Sequence, residues 1–335
     1  MITLPEIVKA QERDYNPYRV TVIITCYNQE KYIEKALDSV LSQKTSFPYK
    51  LIVGDDLSQD GSRDILKRYE KKYPDKMQVL YQEKNLGVMP NRNAVLRICD
   101  TPYVAFLDGD DYWCDDEQME RKYLFLKNHL EYMGYFSAGG RENDLLSNDF
   151  VTRKIESDFT KHLALQNAYP GMSGGFFIRN MYKYMGQKDL DAYMGYALDE
   201  TSKMPIFAAL IGDIYRGDTK TSWVYRQIEG SLSCQESITW GCDGYFASRM
   251  SMMKMVKEFF GMDMQIEEQL EELVYDAFVT YVKKPNSGNK QQYQNIRKQG
   301  YYTDGQIRKI VVHRLWSRLK KAARITVGKS GSESI

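Results

Sequence analysis

Three carboxylates crowd into four positions where an apolar run ends: Tyr103-Val104-Ala105-Phe106-Leu107 is followed by Asp108-Gly109-Asp110-Asp111. Like charges this close repel one another and hydrate poorly, so a strand that ends this way calls for a positive partner. A hard divalent cation is one such partner, because Mg²⁺ or Mn²⁺ takes carboxylate oxygens and commonly bridges them to substrate phosphates. Taken alone, the run reads equally well as a solvated acidic loop. Two other apolar runs also stop in polar residues. Val20–Thr25 is followed by Tyr27-Asn28, and Tyr49–Val53 by Gly54-Asp55-Asp56.

The elements that must position these ends follow from periodicity. Ile33, Ala36, Leu37, Val40 and Leu41 fall at i, i+3, i+4, i+7 and i+8, one face of a helix. Ile65, Leu66 and Tyr69 mark a second helix, after the turn residues Ser58-Gln59-Asp60-Gly61-Ser62. Met77–Tyr81 reads as a third strand, and Pro90 opens a helix through Ala94, Leu96 and Ile98. Strands alternating with helices predict an α/β fold, a mostly parallel sheet with helices on both faces. In such sheets ligands sit at the carboxyl ends of the strands, so the three polar ends should share one crevice. The second half is less regular. Tyr169–Gly175 reads as a flexible loop, Trp223–Arg226 as a short strand, and 244–260 and 266–281 as helices.

Composition removes several classes. The 335-residue chain carries a net charge of +1, so no global field draws it to nucleic acid. Five cysteines form an odd, scattered set with no Cys-x-x-Cys pair, which argues against a disulfide framework or a zinc site and fits a reducing, cytoplasmic setting. Three histidines lie far apart. No apolar run approaches the roughly 18–20 residues needed to cross a bilayer. The first residues lack the basic flank and apolar core expected of a signal peptide.

Four segments carry a resemblance. Val22-Ile23-Ile24-Thr25-Cys26-Tyr27-Asn28 resembles the opening strand of family 2 glycosyltransferases with the GT-A fold. Val53–Ser62 is similar to their second motif, Asn85-Leu86-Gly87 with Asn91-Arg92-Asn93 to their third, and Phe106–Asp111 to their Asp-x-Asp segment. The four stand in family order and spacing, from Val20 to about Trp113. The resemblance implies inverting transfer of a sugar from a nucleotide sugar, a UDP-sugar favoured, to a hydroxyl on a glycan or lipid-linked acceptor, in building a bacterial surface polysaccharide. It implies that Thr25, Tyr27, Asp56, Arg92 and Asp108 hold the nucleotide, and that Asp108 and Asp110 hold Mg²⁺ or Mn²⁺. It also implies a general base from an acidic pair, best matched by Asp199-Glu200, with Asp213 and Asp218 behind them. The residues 172–176 are similar to a small-residue loop near the donor sugar. One departure stands out: Tyr225-Arg226-Gln227-Ile228 lacks the histidine that many relatives carry two residues after Tyr-Arg. A metal-dependent nucleotidyltransferase would show a Gly-rich basic loop after the first strand, and Tyr27-Asn28-Gln29-Glu30 is not one. A non-catalytic nucleotide-binding relative would not be expected to keep the acidic motif.

The expected organisation is an N-terminal extension (1–19), a GT-A domain (20–240) with a nucleotide half (20–115) and an acceptor half (116–240), a helical C-terminal region (241–325), and a disordered tail (326–335). Within 306–324, Ile307, Val311, Leu315, Leu319 and Ala322 share a face among many Lys and Arg residues. That pattern fits either peripheral contact with an anionic membrane at the inner face of the plasma membrane, or docking on the protein itself.

Overall fold

The computed structural model describes residues 1–141, 158–166, 173–196, 200–217, 221–226, 228 and 241–330. The chain divides into two compact units, Met1–Gln227 with Met255–Met264, and Ile228–Lys254 with Gln265–Ile335.

The first unit is built on a seven-stranded sheet. Its strands are β1 (Val20–Cys26), β2 (Tyr49–Asp55), β3 (Met77–Tyr81), β4 (Tyr103–Asp108), β6 (Gly134–Ser137), β8 (Phe176–Arg179) and β9 (Ile214–Gly217), in the order β3-β2-β1-β4-β8-β6-β9. The first four are parallel, as the strand–helix alternation predicts. β8 alone runs against the rest, pairing antiparallel with both β4 and β6. The sheet is therefore mixed but mostly parallel, the α/β architecture expected of a GT-A fold. A second, three-stranded sheet joins β5 (Tyr112–Trp113), β10 (Trp223–Tyr225) and β7 (Gly139–Arg141).

Burial explains why β1 is central. All seven of its residues are buried, and Val22, Ile24, Leu51, Val53, Ala105 and Leu107 form one continuous core with the inner face of helix α2 (Ile33–Leu41). A strand covered on both faces reads as a nearly continuous apolar run, as Val20–Ile24 does, broken only by Thr21, which is buried and hydrogen-bonded to Thr101. Helix α1 (Leu4–Glu12), placed by sequence in an extension, packs into this unit: Ile7 is fully buried and Gln11 donates to the Pro102 carbonyl at 2.6 Å. Helices α3 (Ser62–Lys72) and α4 (Val88–Ile98) complete the crossovers.

The second unit is helical. Glu267–Lys283, Ser287–Lys298 and Asp304–Ser330 pack around Leu270, Val274, Ile296 and Ile307. The last helix is continuous beyond residue 325: no proline falls within Asp304–Ser330, and between Gly305 in its first turn and Gly328 in its last no glycine weakens it. Its register settles part of the docking question. Among the described side chains of this helix Ile307 and Ile310 are buried, whereas Leu315 and Leu319, grouped with Ile307 by the sequence pattern, are exposed.

Candidate active site

The pairing register places the carboxyl ends of the three central strands side by side. Thr25 of β1 stands opposite Gly54 of β2 on one side and Asp108 of β4 on the other. Beyond that row the loops tie together. The Gly109 amide donates to the Thr25 carbonyl (3.1 Å) and the Asp56 amide to the Cys26 carbonyl (2.9 Å). The Asn28 amide donates to Ser58 Oγ (3.0 Å), and Asn28 Oδ1 accepts from the Gln59 amide (2.7 Å). Asn28 and Leu57 both adopt the left-handed region, at φ 52° and 62°. For leucine this costs on the order of 1 kcal/mol and is held in place by the surrounding bonds.

Arg92 enters from α4. Its guanidinium lies 2.5 Å from Asp108 Oδ1 and 3.4 Å from Thr25 Oγ1, and it is 3 % exposed. Asn91, its neighbour, donates to the Gly54 carbonyl at 2.8 Å. A Cβ at Gly54 would stand 2.7 Å from Asn91 Oδ1, so glycine is what lets α4 approach the strand. Thr25, Arg92 and Asp108 thus form one cluster. Asp56 is beside it with a different engagement: its two carboxylate oxygens accept the Leu86 and Gly87 amides at 2.6 and 2.8 Å, which fixes the Asn85-Leu86-Gly87 turn. Asp55 accepts from Arg63 Nε at 2.5 Å. Tyr27 is 47 % exposed at the mouth of the crevice.

The acidic turn itself is held from the small sheet. Trp113 pairs with Trp223 and Tyr112 with Val224, and this antiparallel register carries on to bring Arg226 level with Asp110 and Asp111. The Arg226 amide donates to Asp111 Oδ1 (3.0 Å), and its guanidinium donates to the Asp110 carbonyl (2.9 Å). The guanidinium also lies over the rings of Tyr112 (4.7 Å) and Tyr32 (5.4 Å), with Lys35 over Tyr112 at 3.6 Å. Sequence reasoning assigned no part to Tyr32, Lys35 or Tyr112, and no motif could have, since α2 and β5 bring them to Arg226 at the end of β10. Gly174 and Gly175 of the small-residue loop are walled in beside them. Trp113 Nε1 donates to the Gly174 carbonyl (3.1 Å), and a Cβ at Gly175 would meet Phe136 at 2.6 Å and Trp223 at 2.9 Å.

Charge at this turn is unbalanced. Burial, and then the Asp108 charge, push the Asp110 carboxyl up to about 6. Asp111, 1 % exposed, is raised by burial and by both neighbouring carboxylates. The donors are all oxygens, and their ionised forms are disfavoured until a cation arrives, so the residues fit a hard divalent ion. Among the described residues no three His, Cys, Asp or Glu side chains gather to hold a metal on their own. The remaining donors would come from a diphosphate and water, as is usual for Mg²⁺.

Arg226 favours the ionised forms of Asp110 and Asp111, which gives a pH-dependent expectation. A carboxyl whose folded value is raised contributes stability below its unfolded value of about 3.9 and loses it as pH rises through the folded value. Removing the offsetting cation should therefore hurt most where the acids are ionised. Arg226→Ala is expected to cost about 1–3 kcal/mol near pH 8 and clearly less near pH 5. Melting curves across that range test this, and an equal loss at both ends would mean that Arg226 acts through packing alone.

Of the acidic residues in the second half, Asp199 and Asp218 lie outside the described residues. Glu200 is the first residue of the helix Glu200–Ile211. Asp213 precedes β9, which runs parallel to β6 and so, through β8, in the same sense as β4. Asp213 therefore stands at the amino edge of the sheet, opposite the crevice, where its carboxylate accepts from the Lys161 amide at 3.3 Å.

Residues 21–184 match the family described as glycosyl transferase family 2. The chain carries a family 2 glycosyltransferase domain. This domain is 43 % identical over 115 residues to a putative teichuronic acid biosynthesis glycosyltransferase, TuaG, of Bacillus subtilis, an overlap of 34 % of this chain and 41 % of that one. It is 34 % identical over 112 residues to a poly(ribitol-phosphate) beta-glucosyltransferase of Bacillus spizizenii, covering 33 % of this chain and 18 % of that protein. An uncharacterised Mycobacterium tuberculosis protein is 35 % identical over 112 residues, 32 % of its length. The chain thus spans well under half the length of the curated relatives it matches. Among solved structures, residues 1–349 of S. aureus TarS in complex with UDP-GlcNAc share the fold, with a TM-score of 0.58 and 20 % identity over 83 % of this chain and 79 % of that one. All four sequence motifs of the family 2 domain converge on the crevice described above.

Proposed function

We propose that the protein is an inverting glycosyltransferase that moves a sugar from a nucleoside diphosphate sugar to an acceptor hydroxyl, in the assembly of a bacterial surface polysaccharide. The carrying observation is the meeting of Asp108 and Asp110 with Thr25, Arg92 and Arg226 at the carboxyl end of β4. Two relatives named for teichuronic acid and poly(ribitol-phosphate) chemistry, and a neighbour of the same fold bound to UDP-GlcNAc, support a UDP-sugar donor and a cell-surface acceptor, glycan or lipid-linked.

Each residue has a task in this reading. Tyr27 offers a ring face to the base, and Asp56 sets the wall beside it through the Leu86–Gly87 turn. Thr25 and Asp108 line the ribose side, with Arg92 fixing the Asp108 carboxylate. Asp110, with Asp108, would hold Mg²⁺ or Mn²⁺, which when bound neutralises the charge that develops on the leaving diphosphate. Arg226 adds a fixed positive charge where the absent histidine leaves no metal ligand. The acceptor hydroxyl gives its proton to Asp199 or Glu200 as it attacks the anomeric carbon. The helix that begins at Glu200 ends two residues before the amino end of β9. Its other terminus, about 18 Å away, is the one able to face the carboxyl edge.

The test is a thermal-shift series with UDP, GDP, ADP and their sugars, with and without Mn²⁺, followed by product analysis. A ligand raises the melting temperature only by binding the native state. A metal-dependent rise with one nucleoside diphosphate, and its release from the matching sugar nucleotide, are expected. Release of pyrophosphate from a nucleoside triphosphate instead would make the protein a nucleotidyltransferase. Binding without turnover in any acceptor mixture would leave a nucleotide-binding protein.

A further inference from the structure

The helix Asp304–Ser330 presents two faces of different character. One is docked within its own unit. Ile307 and Ile310 are buried, Arg314 pairs with Glu271 at 3.0 Å and Glu272 at 3.4 Å, and Arg318 pairs with Glu272 and lies 4.4 Å from the Tyr275 ring centre. These arginines are neutralised where they sit. The other face carries Val312, Leu315, Trp316 and Leu319, at 56, 46, 61 and 56 % exposure. Their spacing of i, i+3, i+4 and i+7 makes one unbroken apolar stripe. Lys309, His313 and Lys320 run along its edge at i, i+4 and i+11, all exposed. Asp304, at the very start, is the one acidic residue in the helix sequence.

We infer that this stripe is a membrane-contact surface, which lies in the interface of an anionic bilayer with Trp316 and Leu319 among the acyl chains and Lys309 and Lys320 at the headgroups. Charge decides the occupant. The docked acids are used up on Arg314 and Arg318, so the outward face is cationic and apolar together. That combination complements a negatively charged lipid surface. A second copy of the chain would bring like charges against one another along the same stripe. The helix lies on the membrane rather than crossing it, since among the described residues no helix is long and apolar enough to span one. The inference stands apart from the catalytic reading, because none of these residues belongs to the crevice.

The experiment uses the full chain and co-sedimentation with vesicles of phosphatidylcholine alone or mixed with phosphatidylglycerol, at low and high salt. The unaltered protein should sediment with the anionic vesicles at low salt, and far less at high salt or with phosphatidylcholine alone. Leu315→Ser, Trp316→Ser and Leu319→Ser together should weaken that binding by about tenfold or more. Lys309→Gln with Lys320→Gln should lower it by about tenfold on anionic vesicles only. Anionic vesicles should shift the tryptophan emission to the blue, and Trp316→Phe should abolish the shift. Nucleotide affinity should be the same in all variants, which separates this result from any failure of the catalytic assignment. Retained binding by the triple serine variant would overturn the inference, as would no vesicle binding by the parent. An oligomeric parent that binds no vesicles and becomes monomeric in the serine variant would assign the stripe to a second copy instead.

Discussion

Asp110→Asn is expected to reduce sugar transfer by on the order of 10³-fold while leaving the fold intact or slightly firmer. The two halves of this expectation have one cause. Asp110 is half-buried beside Asp108, and its carboxyl is pushed up to about 6. Without metal, the ionised form is a burden on the folded state above that pH, and the amide removes it. The metal-free variant should therefore melt no lower than the parent near pH 8, and the two should converge at pH values below about 4, where the parent carboxyl is protonated in both states. With Mn²⁺ present the order should reverse, because only the parent gains stability from metal and nucleoside diphosphate. Turnover and paired melting curves with and without Mn²⁺ check both. A variant that keeps near-parental turnover, or the same metal-dependent rise in melting temperature, would remove Asp110 from the site.

The second large effect is expected at the acidic pair. Asp199→Asn or Glu200→Gln should slow transfer by about 10²–10⁴-fold, the usual contribution of a positioned base, while the affinity for nucleoside diphosphate stays within about twofold. That separation distinguishes a base from a metal ligand, whose loss harms both quantities. The position of Asp213 at the amino edge sharpens the test. Asp213→Asn is the matched control and should leave the rate unchanged. Two active amide variants with an inactive Asp213→Asn would defeat both the assignment and the topology argument behind it.

Much of this was legible in the residues. The runs Val20–Ile24, Leu51–Val53 and Tyr103–Leu107 are largely apolar because their strands are covered on both faces, and polar residues follow them where the strands reach the carboxyl edge of the sheet. In-register parallel pairing then makes convergence automatic, and Thr25 and Asp108 become neighbours. What could not be read is what non-local pairing decides. The reversal of β8 has no local signature, since a four-residue run such as Phe176–Arg179 looks the same in either direction. That the two Asp56 oxygens accept backbone amides thirty and thirty-one positions on has no local signature either. The stack of Tyr32, Arg226 and Tyr112 depends on a two-rung pairing between β5 and β10, too short to leave a pattern. In the last helix the apolar spacing was visible, but not which residues would turn inward. Ile307 and Ile310 turn inward, and on that rotation Arg314 and Arg318 meet the acids of Glu267–Lys283.

The pairing of the Arg226 amide with Asp111, across 115 positions, has a consequence for the order in which the protein takes shape as it leaves the ribosome. Strands β1 to β4 with their three helices are complete once Asp108 has emerged, and each crossover joins elements close in sequence. That half is free to collapse early. Its acidic turn is then still without Arg226, which is made last of all the residues of the first unit that hold it. The nascent crevice is thus shaped on its Asp56 side before its acidic side is fixed. A chain stopped short of β10 would hold the two halves of one pocket at different stages of maturity.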